Sequence, residues 1–333
     1  MHQRFACLAF LLLARFLVSA EPPAGYYTAA QGKLGADLRT ALHTIIHNHH
    51  SLPYSGSPHP NTSDAFLVLD HDPANTNNIY GIYSHYSIPW TSIGSAAGNW
   101  NREHLWCASY GTSSGPPHTD LHHMRPESAP VNSARENYYF DVSNPAAPLY
   151  TRYSNSAAGT IWSSTSTTWE PSDAAKGEVA RSLLYMTIRY TGDTTGEPKL
   201  TLTDATNLIV SGSTYMGRYT TLLKWHFTFP VTPAESNRND QVYGLYQANR
   251  NPFVDHPEWV AAAFIPPLRI TAAGTNVTLT WTNDYNPAML VAASTNVFGP
   301  WQTLTNAPKL TNSTWRILFP APGPARFFRL QLQ

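Results

Sequence analysis

A short polar stretch, residues 99–142, concentrates side chains that can do chemistry. Glu103 offers a carboxylate oxygen and Asn132 an amide oxygen, and both suit Mg²⁺, Mn²⁺ or Ca²⁺ better than Zn²⁺. His104 carries an imidazole that titrates near neutral pH and can act as a general base. A base beside one such cation matches phosphodiester hydrolysis, in which the histidine takes a proton from water and the metal stabilises charge on the phosphate.

The neighbouring positions of two of these residues constrain the hypothesis. In a regular strand, Glu103 and His104 point to opposite faces. Both can serve one site only if the strand is irregular there or if the site wraps around the end of the strand. A Glu-His pair is also common in proteins, so the residue types alone leave the function open.

Two short strands joined by a loop are predicted to position this site. Residues 101–106 indicate a strand that enters a loop, and residues 111–118, GTSSGPPH, form that loop. Residues 120–126 follow as a second short strand or turn. The two strands bring polar groups to the loop between them.

A helix is predicted after the second strand. Ser128 is a plausible N-cap, and Pro130 fits the first helical turn. Asn132 then lies near the start of a helix that runs to about Tyr139. The predicted order is therefore strand, loop, strand and helix.

Hydrophobic periodicity predicts the other elements of an α+β fold. The apolar spacing is helical over four segments, which are residues 34–50, 172–191, 219–226 and 233–249. Residues 79–84 alternate and are rich in β-branched and aromatic side chains, so they predict a strand. Around residues 65–69 the pattern fits either a short helix or a strand.

The chain divides into four predicted parts. Residues 1–20 have a basic start, an apolar run and a small-residue cleavage site, which together indicate a signal peptide. Residues 21–262 form the main domain, and residues 263–267 form a linker. Residues 268–333 contain short β-rich runs that predict a small β-sandwich, loosely similar to fibronectin type III domains. We expect no transmembrane segment and a secreted protein, either extracellular or periplasmic.

The cysteine and charge content limits the interactions of the exported protein. Cys7 leaves with the signal peptide, so Cys107 remains alone and an internal disulfide is excluded. The whole chain has 21 basic and 21 acidic residues, and removal of the signal with Arg4 and Arg15 leaves 19 basic against 21 acidic residues. Binding to a polyanion must therefore depend on local contacts and a metal rather than on bulk attraction.

The central motif resembles that of a known nuclease family. The stretch NREHLW…DLHHMRPESAPVNSAREN is similar to the signature of the endonuclease I family, secreted nucleases with a ββα-metal (His-Me finger) site. Further segments match in the same order, including GEVARSLLYMTIRY and LLKWHFTFPVTPAESNRNDQVYGLYQANRNPFVDHPEWV. The resemblance covers about residues 25–262.

This resemblance implies specific roles for three residues. His104 is the general base, Glu103 is a Mg²⁺ ligand, and Asn132 is the second protein ligand. Mn²⁺ or Ca²⁺ are possible substitutes for Mg²⁺. The family generally cleaves DNA, and often RNA as well, with little sequence preference. The nucleic acid is then recognised through its phosphate backbone.

One feature departs from the family pattern. Some members carry a phosphate-binding arginine in the loop between the two strands, whereas residues 105–119 contain no Arg or Lys. Arg125, just after the second strand, is the predicted substitute, and Arg135 is the next candidate. Cys107 stands where relatives commonly have proline, and nothing in the sequence explains it.

Other polar residues of the stretch receive supporting roles. We expect Asp120 and His122 to orient the base or to tie the strands together. For His123, a structural hydrogen bond and a phosphate contact are equally plausible, and Arg135 has the same two alternatives. Arg102 is interpreted as an ion-pair partner within the fold rather than a substrate contact.

Two competing functions remain at this point. One is a zinc-dependent hydrolase that uses His104, His122 and His123, although their spacing is not typical of zinc sites. The other is an extracellular binding protein led by its C-terminal module, which binds a surface or a glycan and carries an inactive nuclease core. The oligomeric state cannot be predicted.

Overall fold

The computed structural model describes residues 21–274, 276–282, 289–320 and 326–332. The predicted signal peptide, residues 1–20, lies outside these ranges. The α-helices are α1 (Gly35–Ile46), α2 (Thr62–Leu69), α3 (Ala129–Arg135), α4 (Asp173–Arg189), α5 (Tyr219–Thr228), α6 (Pro233–Gln241), α7 (Pro252–Asp255) and α8 (Trp259–Phe264).

Short strands lie between these helices. Those of the first 262 residues are β1 (His71–Asp72), β2 (Asn75–Tyr80), β3 (Ser87–Pro89), β4 (Trp100–His104), β5 (Met124–Ser128), β6 (Tyr139–Phe140), β7 (Thr151–Asn155), β8 (Thr160–Ser164), β9 (Thr168–Glu170), β10 (Thr201–Leu202) and β11 (Tyr215–Met216). They form small sheets of two to four strands. The mixed α+β class predicted from the sequence is confirmed.

Helix α4 is the central packing element. Val179, Leu183 and Met186 recur at helical spacing and are completely buried. Its other faces are buried as well, which is expected of a helix surrounded by protein. It packs against α1, α5 and α7. The helix predicted for residues 172–191 is therefore confirmed to within two residues at its ends.

The strands β4 and β5 and the helix α3 form one continuous unit. The strands pair antiparallel, with Glu103 opposite Arg125 and His104 opposite Met124. Helix α3 begins directly after Ser128 and has a proline in its first turn, as predicted. Strand β4 also joins two hydrophobic clusters, because it begins at buried Trp100 and leads into a second cluster immediately after His104.

The boundaries of this unit differ from the prediction. Residues 120–123 form a turn and the second strand starts only at Met124, because the carboxylate of Asp120 accepts the backbone N–H of His122 and its carbonyl accepts that of Met124. Helix α3 ends at Arg135 rather than near Tyr139. The next residue has a φ of +51°, which is incompatible with a continuing α-helix.

The predicted strand at residues 79–84 is only partly correct. Strand β2 ends at Tyr80, and the chain then turns because the carboxylate of Glu127 captures the backbone N–H groups of Tyr83 and Ser84 at 2.6 and 3.1 Å. Gly81 permits this close approach. A Cβ at that position would lie 2.5 Å from Glu127 Oε1.

The helical prediction for residues 233–249 covers two elements. Helix α6 continues as a π-helix over Val242–Gln247. The following residues, Asn249, Arg250 and Asn251, are buried and connect neighbouring elements. Arg250, for example, forms ion pairs with Asp240 and Asp255.

The C-terminal residues form a separate set of strands, β12 (Arg269–Ala273), β13 (Asn276–Thr282), β14 (Met289–Ser294), β15 (Gln302–Thr303), β16 (Lys309–Thr311), β17 (Thr314–Pro320) and β18 (Phe327–Leu332). Two sheets have the orders β12-β13-β17-β16 and β15-β14-β18, with antiparallel pairing. Leu279 and Ile317 of one sheet share a hydrophobic cluster with Val291 of the other.

The predicted linker at residues 263–267 starts too early. Ala263 and Phe264 belong to α8 and are buried in the main core. Among the described residues, no helix combines the length and the apolar character that crossing a bilayer requires.

Candidate active site

His104 lies at the end of β4 with one ring nitrogen fixed. Its Nε2 is 2.9 Å from the backbone oxygen of His118. Because a carbonyl oxygen only accepts hydrogen bonds, Nε2 must carry the proton. The lone pair of a neutral ring then resides on Nδ1. The side chain is partly exposed, so His104 can act as a base at Nδ1.

Aromatic rings surround this imidazole. His118 stacks on it at 4.8 Å between ring centroids, and Tyr54 lies nearly parallel at 6.2 Å. His123 approaches to 5.5 Å on a tilted plane. Burial among these groups and the nearby charge of His123 lower the pKa of His104 to about 3. The ring is therefore neutral at pH 7, the form that accepts a proton.

Glu103 contacts a different set of side chains. Only 3% of the residue is exposed, and its Oε1 accepts a hydrogen bond from the Tyr83 hydroxyl at 2.7 Å. The Arg135 Nε lies 3.2 Å from the same oxygen. Burial raises the pKa of Glu103, while Arg135 and Tyr83 act to lower it. The carboxylate is thus held by two side chains that cannot rotate freely within the core.

Asn132 connects α3 to β4. Its Nδ2 donates to Asn101 Oδ1 at 2.7 Å and to the backbone oxygen of Arg102 at 3.1 Å. Both amide hydrogens are therefore used, and the Oδ1 atom is directed away from these partners. The side chain is partly exposed, so this oxygen is available to coordinate a metal cation.

These residues fit a hard divalent cation better than zinc. Glu103 and Asn132 supply oxygen donors whose orientation is fixed by neighbouring groups. Within the described ranges, no cluster of three or more His, Cys, Asp or Glu side chains is arranged to hold a metal. A zinc site made of His104, His122 and His123 is therefore wrong. Their Nε2 atoms instead face three separate backbone carbonyls.

Asp120 is the centre of a separate buried network. Its Oδ2 accepts hydrogen bonds from the hydroxyls of Tyr185 and Tyr190, both at 2.9 Å. Its Oδ1 accepts from Gln247 Nε2 at 3.1 Å and from the backbone N–H of His122 at 3.0 Å. Burial acts to raise the pKa of Asp120, but the histidines nearby and the Gln247 amide outweigh it and hold the pKa well below its usual range.

His122 and His123 are buried and bonded to backbone. The Nε2 of His122 lies 3.1 Å from the Asn249 oxygen, and that of His123 lies 2.6 Å from the Pro117 oxygen. Burial lowers the pKa of each to about 4. These positions favour the structural alternative for His123, and they place His122 in the network of Asp120.

Arg125 does not face His104. Its Nε lies 3.0 Å from Asp70 and its Nη2 lies 2.8 Å from Glu178, with 12% of the side chain exposed. Burial acts to lower the pKa of Arg125, but these carboxylates outweigh it and raise the pKa. An arginine neutralised in this way is unsuited to clamp a phosphate, so the prediction for Arg125 is wrong.

Arg135 is a support for the candidate ligand Glu103. The residue is 1% exposed and also donates to the Leu105 oxygen at 3.0 Å and to Cys107 Sγ. This placement contradicts a phosphate contact and fits the alternative role of positioning. The thiol of Cys107 is therefore a hydrogen-bond acceptor for Arg135.

Arg102 is bonded to hydroxyl groups, whereas Arg125 is paired with carboxylates. Its Nε donates to Thr62 Oγ1 at 2.7 Å and its Nη2 donates to Ser63 Oγ. The guanidinium lies 4.3 Å from the centre of the Tyr54 ring. Among the described residues, no carboxylate lies within ion-pair distance of Arg102, so its predicted ion-pair role is wrong.

Three further residues of the site were missed by the sequence analysis. Tyr83 holds Glu103, His118 holds His104, and Asn101 holds Asn132. Asn101 and His118 lie within the motif region and were candidates by proximity alone. Tyr83 lies outside it, in a segment that the sequence predicts as an ordinary strand, and no local signal points to it.

Comparison with known proteins places most of this chain within one group. The sequence model of a family described as Endonuclease I matches residues 34–258. Two relatives, each named extracellular ribonuclease, come from Bacillus amyloliquefaciens and Bacillus subtilis (strain 168). Each is 44% identical over 238 residues, which cover 70% of this chain and 76% of the relative.

Proposed function

The chain belongs to the endonuclease I family, and we propose that it is a secreted, metal-dependent nuclease whose active site is the unit β4–β5–α3. It is an enzyme that hydrolyses phosphodiester bonds. The observation that carries the site assignment is the hydrogen bond between His104 Nε2 and the His118 oxygen, since it leaves a basic nitrogen at a partly exposed position. The strand-strand-helix order supports a ββα-metal site.

In the proposed mechanism His104 is the general base. Its Nδ1 takes a proton from the attacking water, and the imidazolium that forms is stabilised by the His118 carbonyl at Nε2. The stacked ring of His118 keeps the imidazole in one plane. A proton acceptor fixed in this way contributes about 10²- to 10⁴-fold to the rate.

Glu103 and Asn132 would hold the metal, for which Mg²⁺ is the proposal and Mn²⁺ or Ca²⁺ are substitutes. When bound, this cation supplies positive charge that stabilises the phosphate and the leaving oxygen as negative charge develops. Tyr83 and Arg135 keep the carboxylate of Glu103 in place, and Asn101 keeps the amide of Asn132 in place. Such supporting contacts raise affinity for the metal.

We propose RNA and DNA as substrates. The names of the relatives point to RNA for those proteins. Water activated by His104 attacks phosphorus without help from a 2′-hydroxyl, so the same site also accepts DNA. Because residues 21–333 carry no excess of basic over acidic side chains, binding to the backbone should be modest and sensitive to salt.

Export and the C-terminal strands complete the proposal. The signal-like residues 1–20 and the word extracellular in the names of the relatives support secretion.

We assign residues 21–264 to the nuclease domain and strands β12–β18 to a fibronectin type III-like module for attachment or spacing. Removal of residues 266–333 should then leave cleavage of a short duplex nearly unchanged.

The test is cleavage by the purified 21–333 protein with Mg²⁺ or with a chelator. RNA, DNA and 2′-O-methyl RNA serve as substrates, because the last remains cleavable only if water is the nucleophile. We expect Mg²⁺-dependent cleavage of all three, and a loss of at least about 100-fold in His104→Ala. The matched control is His47→Ala, which alters a histidine at the end of α1. An inert wild type, or a fully active His104→Ala variant, would refute the proposal.

A further inference from the structure

The loop that follows β4 contains no cation that can contact a substrate phosphate. Residues 105–119 lack Arg and Lys. Arg125 and Arg135 are paired with buried carboxylates. A nuclease with no net positive charge nevertheless needs a local positive group beside the phosphate that it cuts. The candidate must therefore come from another position close to His104.

Arg102 lies on the same side of β4 as the proposed base. It precedes His104 by two residues, and alternate residues of a strand share one face. Tyr54 links the two side chains in space. Its ring lies 4.3 Å from the Arg102 guanidinium and 6.2 Å from the His104 ring. The positive charge is thus a neighbour of the base.

Among the described residues, no carboxylate forms an ion pair with Arg102. The charge of Asp64 acts on it from beyond ion-pair distance. The hydrogen-bond acceptors of Arg102 are the hydroxyls of Thr62 and Ser63, which carry no charge. The following arginines, in contrast, each form an ion pair with a carboxylate: Arg125, Arg135, Arg181, Arg189, Arg218, Arg238 and Arg250. Arg102 is therefore the arginine of the β4–β5–α3 unit that is partly exposed and has no ion-pair partner among the described residues.

The guanidinium is also held in place before any ligand binds. Two of its five N–H groups are bonded to the start of α2, and the Tyr54 ring covers one face. A phosphate oxygen is a strong acceptor for the planar donors of an arginine. Because the orientation is already fixed, little conformational entropy is lost on binding.

We propose that Arg102 binds a phosphate of the substrate strand beside His104. This inference rests on the proposed nuclease function and adds the positive group that the loop lacks. Arg102 then has two tasks: it neutralises one backbone charge, and it aligns the strand along β4. Tyr54 and the hydroxyls of Thr62 and Ser63 act as positioning groups for the guanidinium.

The experiment measures binding rather than cleavage, in the background of His104→Ala. The dissociation constant of a short duplex is determined between 50 and 200 mM salt for this protein and for two double variants. One adds Arg102→Gln. The other adds Arg152→Gln as the matched control, because Arg152 is an exposed arginine on β7 with no ion pair among the described residues. Thermal melting verifies the fold of each.

For Arg102→Gln we expect binding to weaken about tenfold at low salt. The slope of log affinity against log salt should fall by about 1, the value of one lost phosphate contact. Arg152→Gln should leave both quantities unchanged. Equal slopes for all three proteins, or the same decrease in both double variants, would overturn the inference.

Arg102→Lys provides an independent arm if the glutamine variant does not fold. It keeps the charge but loses the planar fork, so its salt slope should match the His104→Ala background while its dissociation constant rises several-fold. A changed slope with unchanged affinity would contradict a phosphate contact. Because wild-type cleavage is measured separately, failure of the proposed function is distinguished from failure of this inference.

Discussion

Two polar regions lie close together in the sequence of this enzyme, yet their side-chain atoms differ in how many hydrogen-bond partners they have within the protein. The first is the candidate active site, represented by Arg102, His104 and Asn132. The second is the Asp120 cluster, defined by Asp120, His122, Tyr185, Tyr190, Gln247 and Asn249. Both contain histidines and amides, and β4 and the turn at residues 120–123 place them on the two sides of one loop.

In the Asp120 cluster the hydrogen-bonding groups face each other. Asp120 accepts four hydrogen bonds, and Asn249 donates to the Tyr185 hydroxyl and to the Ile46 oxygen. In the candidate active site, His104 and Asn132 each have one polar atom fixed by a hydrogen bond, and each side chain is partly exposed. Residue type therefore does not separate the two regions, whereas the pattern of hydrogen-bonded atoms does.

The largest effect should come from histidine substitutions in the two regions. We expect His104→Ala to lower the cleavage rate by about 10²- to 10⁴-fold with little change in stability. His122→Ala should lower the free energy of unfolding by about 2 kcal/mol, because it leaves the Asn249 oxygen without its partner, while folded molecules stay active. Single-turnover cleavage measures the rate of each variant, and urea unfolding measures its free energy of unfolding. If His122→Ala were stable but inactive, the division between the regions would fail.

The next effect concerns Asp120 itself. In Asp120→Asn, an NH2 group takes the place of one carboxylate oxygen. Each of these oxygens accepts two hydrogen bonds, so the NH2 group would face two donors. We expect a loss of about 3 kcal/mol in the free energy of unfolding. Asp173→Asn is the control, because that side chain is 76% exposed on α4. It should change stability by less than about 0.5 kcal/mol. Similar losses for both variants would show that the cluster is not a special source of stability.

A pair of tyrosine variants sharpens the comparison further. Tyr83→Phe removes the hydroxyl that holds Glu103, so the Mg²⁺ concentration for half-maximal activity should rise about 10- to 100-fold. Tyr185→Phe removes the same group from the Asp120 cluster and should reduce stability without altering the Mg²⁺ requirement. A Mg²⁺ titration of cleavage distinguishes them. An unchanged requirement in Tyr83→Phe would argue against Glu103 as a ligand.

The smallest effect is a dependence of stability on pH. Burial lowers the pKa of His122 to about 4, below the unfolded value of about 6.5. Between these values the unfolded chain binds more protons, so stability decreases as the pH falls from about 6.5 to 4. His122→Gln should reduce this slope by up to about 1.4 kcal/mol per pH unit. Urea unfolding at pH 7 and pH 5 measures it, and an unchanged slope would contradict a neutral buried His122.

The helices were largely predictable because their signals are local. In α1 and α4 the apolar residues recur every three or four positions. Helix α4 matches its predicted range to within two residues, whereas α1 ends at Ile46, four residues before the predicted end. The end of α3 was not predictable, since it depends on the backbone of Glu136 adopting a positive φ. The start of β5 likewise depends on the way in which Asp120 bonds its own turn.

The side-chain partners were the hardest part to predict. The sequence places Arg125 beside the catalytic motif, but its partners Asp70 and Glu178 come from the end of α2 and from α4. Arg102 was assigned to an ion pair, and its actual partners are hydroxyls and an aromatic ring. Such contacts depend on tertiary packing across distant segments, which no local pattern encodes. The roles of Glu103, His104 and Asn132 came from the family resemblance rather than from the residue types alone.

The burial of Cys107 has a consequence for where this nuclease is able to mature. The residue is 2% exposed, burial raises the pKa of its thiol, and Arg135 covers its sulfur. A protonated, enclosed thiol is a poor partner for oxidants or for a second cysteine. The nuclease domain thus reaches the same folded form in reducing and in oxidising surroundings.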